Sequence, residues 1–139
     1  MARKLKLNYE PDYEFLLLGI VSYERDYRIS WDINQNLELD LVRTEDHFIK
    51  LKSSERGIYF SCFIYEDEES YLNYKLLTNR ADRGYLLEEL RNIDYFIVIT
   101  GEYDLNLAGN FRQRLMKLDT VQNCFILEPE KIKNSHRVM

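Results

Sequence analysis

Two stretches of this chain are apolar on both faces of a strand, and that limits what the chain can fold into. Residues 58–65 read Ile-Tyr-Phe-Ser-Cys-Phe-Ile-Tyr, and residues 93–100 read Ile-Asp-Tyr-Phe-Ile-Val-Ile-Thr. Side chains alternate between the two sides of a strand. In the first stretch Ile58, Phe60, Cys62 and Ile64 therefore face one way, while Tyr59, Phe63 and Tyr65 face the other with Ser61. A strand of this kind belongs inside a sheet that is covered on both faces. With 139 residues the chain has room for one such layered domain, spanning residues 1–139.

The remaining elements are read outward from these two strands. Leu5, Leu7 and Tyr9 alternate with Lys4, Lys6 and Asn8, which predicts a half-exposed first strand. Pro11 breaks it, and Asp12 is a candidate helix cap. Residues 15–21 are apolar on every side, so periodicity does not separate helix from strand. Leu16, Leu17 and Leu18 tilt the reading to a helix, in which Gly19 would allow close packing. In residues 26–37, Ile29, Ile33 and Leu37 recur at four-residue steps with Trp31 to one side, which predicts a helix started by Asp26. Residues 39–51 suggest a strand with a bulge near Glu45 and Asp46. Polar turns at 53–57 and 66–70 flank the 58–65 strand. Residues 71–78 return with Leu72, Tyr74 and Leu76 on one face, completing an antiparallel meander.

Leu86, Leu87 and Leu90 predict a short helical turn before the 93–100 strand, which Gly101 ends. Residues 105–118 carry the clearest helical stripe: Ala108, Phe111, Leu115 and Leu118. Residues 121–127 form the last strand, stopped by Pro129, and residues 130–139 read as a mobile tail. Strand, helix and strand of these lengths make a right-handed parallel crossover. The order β-α-α-β-β-β-β-α-β specifies an α+β fold: a mixed, mostly antiparallel sheet with helices packed on it.

Charge narrows the function classes. The net charge of -5 repels a nucleic-acid backbone, so nucleic acid is disfavoured as a partner. Arg3, Lys4 and Lys6 at one end, and Lys131, Lys133 and Arg137 at the other, read as solvated chain ends. Cys62 and Cys124 lie in apolar strand runs and are expected as buried free thiols, with neither a disulfide framework nor a zinc site. The 15–21 run is short for a signal peptide and far too short to span a bilayer, so a cytoplasmic domain with no membrane partner is expected.

Each chemical candidate has a plain structural reading beside it. Glu66, Asp67, Glu68 and Glu69 could attract a cation, but consecutive residues in a hairpin diverge, and a solvated turn is the expectation. His47 follows Asp46, yet neighbours on a strand point to opposite faces. No G-x-S-x-G, phosphate loop or dinucleotide fingerprint occurs, so no catalytic residue, metal or cofactor is assigned. Aromatic residues make up 14% of the chain, with Tyr59, Phe63 and Tyr65 on one strand and Tyr71 and Tyr74 on the next. Such rows stack bases when cations surround them. Here the neighbours are residues 66–69, which favours core packing first and a protein interface or ligand pocket second.

The segment Leu87-Glu88-Glu89-Leu90-Arg91-Asn92-Ile93-Asp94-Tyr95 resembles the signature of a bacterial group, the IPExxxVDY family. Leu87 stands for the Ile, Glu89 for the Glu and Ile93 for the Val, and Asp94-Tyr95 match outright, whereas Glu88 replaces the Pro. Asp26-Tyr27-Arg28 with Trp31 and Asn34, the run 65–68, and Gly84-Tyr85 are similar as well, so the resemblance covers the whole domain. It implies Glu89, Asp94, Tyr95, Asp26, Arg28, Trp31, Glu66 and Asp67 as candidate functional residues, and no activity, ligand or cofactor. The first expectation is a binding or assembly module that contacts protein, itself included, as a homodimer. The second is an enzyme or small-ligand domain using acids near the signature.

Overall fold

The computed structural model describes residues 14–50 and 57–139. The expected strand at Leu5–Tyr9, the Asp12 cap and the turn from Ser53 to Arg56 lie outside the described residues. The elements are β1 (Leu16–Val21), α1 (Asp26–Leu37), β2 (Val42–Arg43), β3 (His47–Lys50), β4 (Gly57–Phe60), β5 (Cys62–Asp67), β6 (Leu72–Thr78), β7 (Arg80–Ala81), β8 (Gly84–Tyr85), β9 (Tyr95–Gly101), α2 (Leu107–Leu115) and β10 (Asn123–Leu127). Single 3-10 turns occupy Glu88–Leu90, Pro129–Lys131 and Ser135–Val138. This is an α+β fold. Six strands form the main sheet in the order β10-β1-β9-β6-β5-β2, while β3 with β4 and β7 with β8 form small ladders of their own.

The run 15–21 forms β1, a strand, where the leucines favoured a helix. β1 pairs antiparallel with β10 on one side and β9 on the other. Its Leu18 and Ile20 enter one core and Phe15 and Leu17 the other. A strand buried on both faces needs apolar residues at every position, and burial outweighs the modest helix preference of leucine. The expected crossover also takes a particular form. β9 and β10 both run antiparallel to β1, so they are parallel to each other with β1 between them. Every pairing within the six-stranded sheet is antiparallel.

The 58–65 strand bends at Ser61, which separates β4 from β5. Thr78 bridges the bend: its Oγ1 accepts the Ser61 N–H at 3.0 Å and its own N–H reaches the Ser61 carbonyl at 3.1 Å. The 39–51 strand likewise divides into β2 and β3 around the expected bulge at Glu45 and Asp46. The β3–β4 hairpin thereby leaves the plane of the sheet and contributes Ile58 and Phe60 to its second face.

That second face is where the chain end belongs. Residues 130–139, expected as a mobile tail, pack down instead: Pro129, Ser135 and Val138 are buried, and Val138 joins the core of Phe60, Leu77, Leu86, Leu87, Ile93 and Phe96. The apolar Ile132 and Val138 have a face to cover, which their polar neighbours hid in the sequence. The opposite face is covered by the two helices, with Ile29, Ile33 and Leu37 from α1 and Phe111 and Leu115 from α2. At the far end of β9, Gly101 has φ +107, and an added Cβ would lie 2.1 Å from the Tyr71 carbonyl oxygen, so only glycine fits there.

Candidate functional site

Leu87, Ile93, Asp94 and Tyr95 gather at the end of β9 where Tyr95 begins. A short 3-10 turn cannot satisfy its own backbone, so side chains must do so. Asn79, fully buried, supplies the bonds. Its Nδ2 donates to the carbonyls of Leu90 at 2.8 Å and Ile93 at 2.9 Å, and its Oδ1 accepts the Leu87 N–H at 2.9 Å. Leu87 and Ile93 are buried, and Leu90 is half-buried. Ile93 lies on β1 over Gly19, where an added Cβ would sit 3.1 Å from its Cγ2.

Asp94 fastens this turn to the loop after β1. Its Oδ2 accepts the Ser22 N–H at 2.9 Å, and its Oδ1 lies 3.1 Å from an Arg80 guanidinium nitrogen. The chain of bonds continues: the Ser22 hydroxyl donates to the Thr120 carbonyl at 2.5 Å, and the Thr120 hydroxyl to Asp32 Oδ2 at 2.6 Å. The Tyr95 hydroxyl donates to the Glu24 carbonyl. Burial, with Asp26 and Asp94 nearby, pushes the Tyr95 phenol well above its ordinary range, so it stays a proton donor. A cleft of about 590 Å³ opens beside this network, lined by Tyr23, Glu24, Arg25, Arg80, Asn92 and Asp94. Both oxygens of Asp94 and the hydroxyl of Tyr95 are engaged by the fold. They hold backbone and the Arg80 side chain in place there.

The helix residues expected to matter lie next to this end. Arg25 occupies the cap position, and Asp26 is the first helical residue, its Oδ1 accepting the Tyr27 N–H at 2.7 Å. Arg28 lies 5.9 Å from the centre of the Trp31 ring, within cation–π range. Tyr23, Tyr27 and Trp31 are 86%, 65% and 56% exposed. Tyr27 and Trp31 stand one helical turn apart on the side of α1 away from Ile29 and Ile33.

The other candidates lie elsewhere. Glu89 is exposed and lines a separate cleft with Glu88. Glu66 and Asp67 belong to the β5–β6 hairpin, at the other end of the sheet, roughly 20 Å along the strands from Asp94. Asp67 accepts the Ser70 hydroxyl at 2.7 Å and the Glu69 N–H at 3.1 Å. The Ser70 bond above all holds its carboxyl below the usual range. The hairpin therefore uses Asp67 to close its own turn. Among the described residues no three His, Cys, Asp or Glu side chains gather as metal ligands would.

His47 is half-buried with Nε2 2.5 Å from the Arg137 carbonyl, and burial lowers its pKa. Cys62 and Cys124 are free and buried, and burial raises the Cys124 thiol to about 11. The aromatic rows divide between core and surface. Tyr65, Tyr74 and Phe111 stack in series at 6.0 and 5.8 Å, whereas Tyr59 is exposed against Phe48 at 4.9 Å.

Sequence reasoning missed Asn79, Ser22 and Arg80. Asn79 looked like one more polar residue of a turn, and nothing in its neighbours signals a partner eleven or fourteen residues away. Among the described residues no helix is long and apolar enough to cross a membrane. Comparison with family models, with curated proteins and with solved structures yields no match for this chain.

Proposed function

We propose that this domain is an assembly module that pairs with a second copy of itself through the exposed side of α1. The observation that carries this reading is the exposure of Tyr23, Tyr27 and Trp31 within nine residues, at 86%, 65% and 56%. Tyr, Trp and Arg dominate the energetics of protein interfaces, and Arg28 lies against Trp31. Aromatic side chains bury about 150–250 Å² each. At these exposures the three offer roughly 300–500 Å², a large part of the ~800 Å² per partner of a standard interface. Glu24, Arg25, Asp26, Arg28 and Asp32 place both signs of charge along the same stretch. A two-fold axis sets each residue of such a patch against the patch itself, so mixed charges complement one another.

Supporting the same reading, Asp94, Ser22 and Tyr95 brace the loop that leads into α1, and so hold Tyr23 and the first turn in place. We also infer membership of the IPExxxVDY family, on the strength of Leu87, Glu89, Ile93, Asp94 and Tyr95 together with the α1 residues. On that reading the matched α1 residues form the contact and the signature positions them. A cytoplasmic setting fits two buried free thiols.

Sedimentation velocity from low micromolar to several hundred micromolar protein tests the proposal. The expected result is a concentration-dependent dimer, with a blue shift of fluorescence from Trp31, the one tryptophan. Trp31→Ala and Tyr27→Ala should melt normally, since both side chains are exposed, and should remain monomeric. A wild-type chain that is monomeric throughout, or an α1 variant that still dimerises, overturns it.

A further inference from the structure

We propose that the cleft between the β7–β8 ladder, the signature turn and residues 133–137 binds a small-molecule anion carrying a phosphate or pyrophosphate group. The cleft measures about 620 Å³, within the range of small-ligand sites, and is lined by Arg83, Arg91, Lys133 and Arg137 together with Glu88 and Glu89. Four cations against two carboxylates leave an excess of two positive charges, in a chain whose net charge is -5. Overall composition therefore does not account for the cluster. Nor does internal pairing: among the described residues the ion pairs are Arg43–Asp46, Arg80–Asp94 and Lys131–Glu128, and none of the four cations belongs to them.

The backbone that carries Lys133 and Arg137 is packed, and one cation lies against an aromatic ring. Arg91 lies 5.2 Å from the centre of the Tyr85 ring. Arg137 lies within the turn Ser135–Val138 and Lys133 just before it; buried Ser135 and Val138 pin this turn to the sheet, and Asn134 enters it at φ 63. The Arg137 carbonyl is bonded to His47. A packed backbone places the four cations around one cleft and so lowers the ordering cost of binding an anion. Charge selects the ligand class. A phosphate monoester carries about -1.5 to -2 at neutral pH, which matches the excess of two, and guanidinium groups meet its oxygens in pairs. A single carboxylate would leave half of the excess unmatched.

Isothermal titration calorimetry of the whole chain at low ionic strength, with pyrophosphate as probe and acetate as the singly charged control, tests the site. Saturable one-to-one binding of pyrophosphate and none of acetate is expected. Arg83→Gln and Arg137→Gln should each weaken it about fivefold to tenfold, with unchanged melting showing that the fold is intact. Glu89→Gln should tighten it severalfold. Glu69→Gln, the same change of charge on the distant hairpin, should not. Absence of saturable heat with pyrophosphate overturns the proposal, as does an equal response to the two Glu variants. A phosphoserine peptide that binds tenfold more tightly than pyrophosphate would overturn the small-molecule assignment in favour of a phosphorylated protein.

Discussion

The two faces of the sheet are covered by different kinds of chain. On one side lie α1 and α2, whose interior backbone groups bond within each helix and which present Ile29, Ile33, Leu37, Phe111 and Leu115 to the core. On the other lie the β3–β4 hairpin, the signature turn and the C-terminal segment, none of them a regular helix. Irregular chain leaves donors and acceptors open, and buried ones must find partners. Asn79, Asp94, Thr78 and His47 supply them. A helical cover thus rests mainly on apolar periodicity, and Asn34 and Arg112 add bonds to the Leu41 and Cys124 backbone at its margins. An irregular cover also needs polar side chains at fixed points, and those points become the most sensitive positions of the molecule.

Asn79→Ala is the most direct way to break this contrast. It strands the Leu87 N–H and the Ile93 carbonyl in the interior, while the Leu90 carbonyl keeps the Ile93 N–H; at about 1–3 kcal/mol for each stranded group, urea melts should show a loss of roughly 2–6 kcal/mol. A loss under about 1 kcal/mol would mean that the signature turn holds itself together.

Apolar truncation should instead treat the faces alike. Ile33→Ala under α1 and Ile93→Ala under the signature turn should each cost about 2–5 kcal/mol. The contact between Ile93 and Gly19 gives a sharper test. Gly19→Ala crowds Ile93 Cγ2 and Leu127 Cδ1, both 3.1 Å from the added carbon, and should cost about 1–3 kcal/mol. Adding Ile93→Val should return part of that loss, and a double-mutant cycle with no favourable coupling would show that the strand shifts to make room.

A pH series addresses the tail on the irregular face. Burial lowers the folded-state pKa of His47 below its ordinary 6.5, ahead of the opposing Arg137 carbonyl and the Lys75 charge. The stabilisation it confers is present above pH 6.5 and is lost as pH falls below that value towards the folded pKa. Melting temperature should fall between neutral pH and pH 5, with a shallower slope in His47→Gln. Equal slopes would show that the imidazole does not sense the tail.

The smallest effect is expected at the hairpin of Glu66 and Asp67, which lies outside both covers. Asp67→Asn should leave the melting temperature at neutral pH nearly unchanged, because the turn is solvated. The lowered carboxyl pKa gives the direction of what remains: the wild type's slight advantage is present above the usual carboxylate range and disappears as acid protonates Asp67.

These contrasts follow what was legible in the sequence. Ile29, Ile33 and Leu37, and Ala108, Phe111 and Leu115, gave both helices and their buried sides, because a helix writes its environment at steps of three and four. Leu72, Tyr74 and Leu76 gave the face of β6 in the same way at steps of two. β1 was misread because a strand buried on both faces carries no period. Glu89, Asp94 and Tyr95 lie within one short stretch of sequence, yet Asp94 and Tyr95 turn to the loop before α1 while Glu89 opens to the basic cleft.

By itself, then, the sequence determined the central strand β9, the helical cover, the meander and the α+β class, whereas the split of the 58–65 strand at Ser61 was not legible in it. Only the tertiary structure decided that β1 separates β9 from β10, that the C-terminal segment closes the second face, and that Arg83, Arg91, Lys133 and Arg137 share one cleft. Those outcomes join residues up to about a hundred positions apart. They follow from which surfaces remain to be covered once the local elements have formed, and no local pattern of residues encodes that remainder.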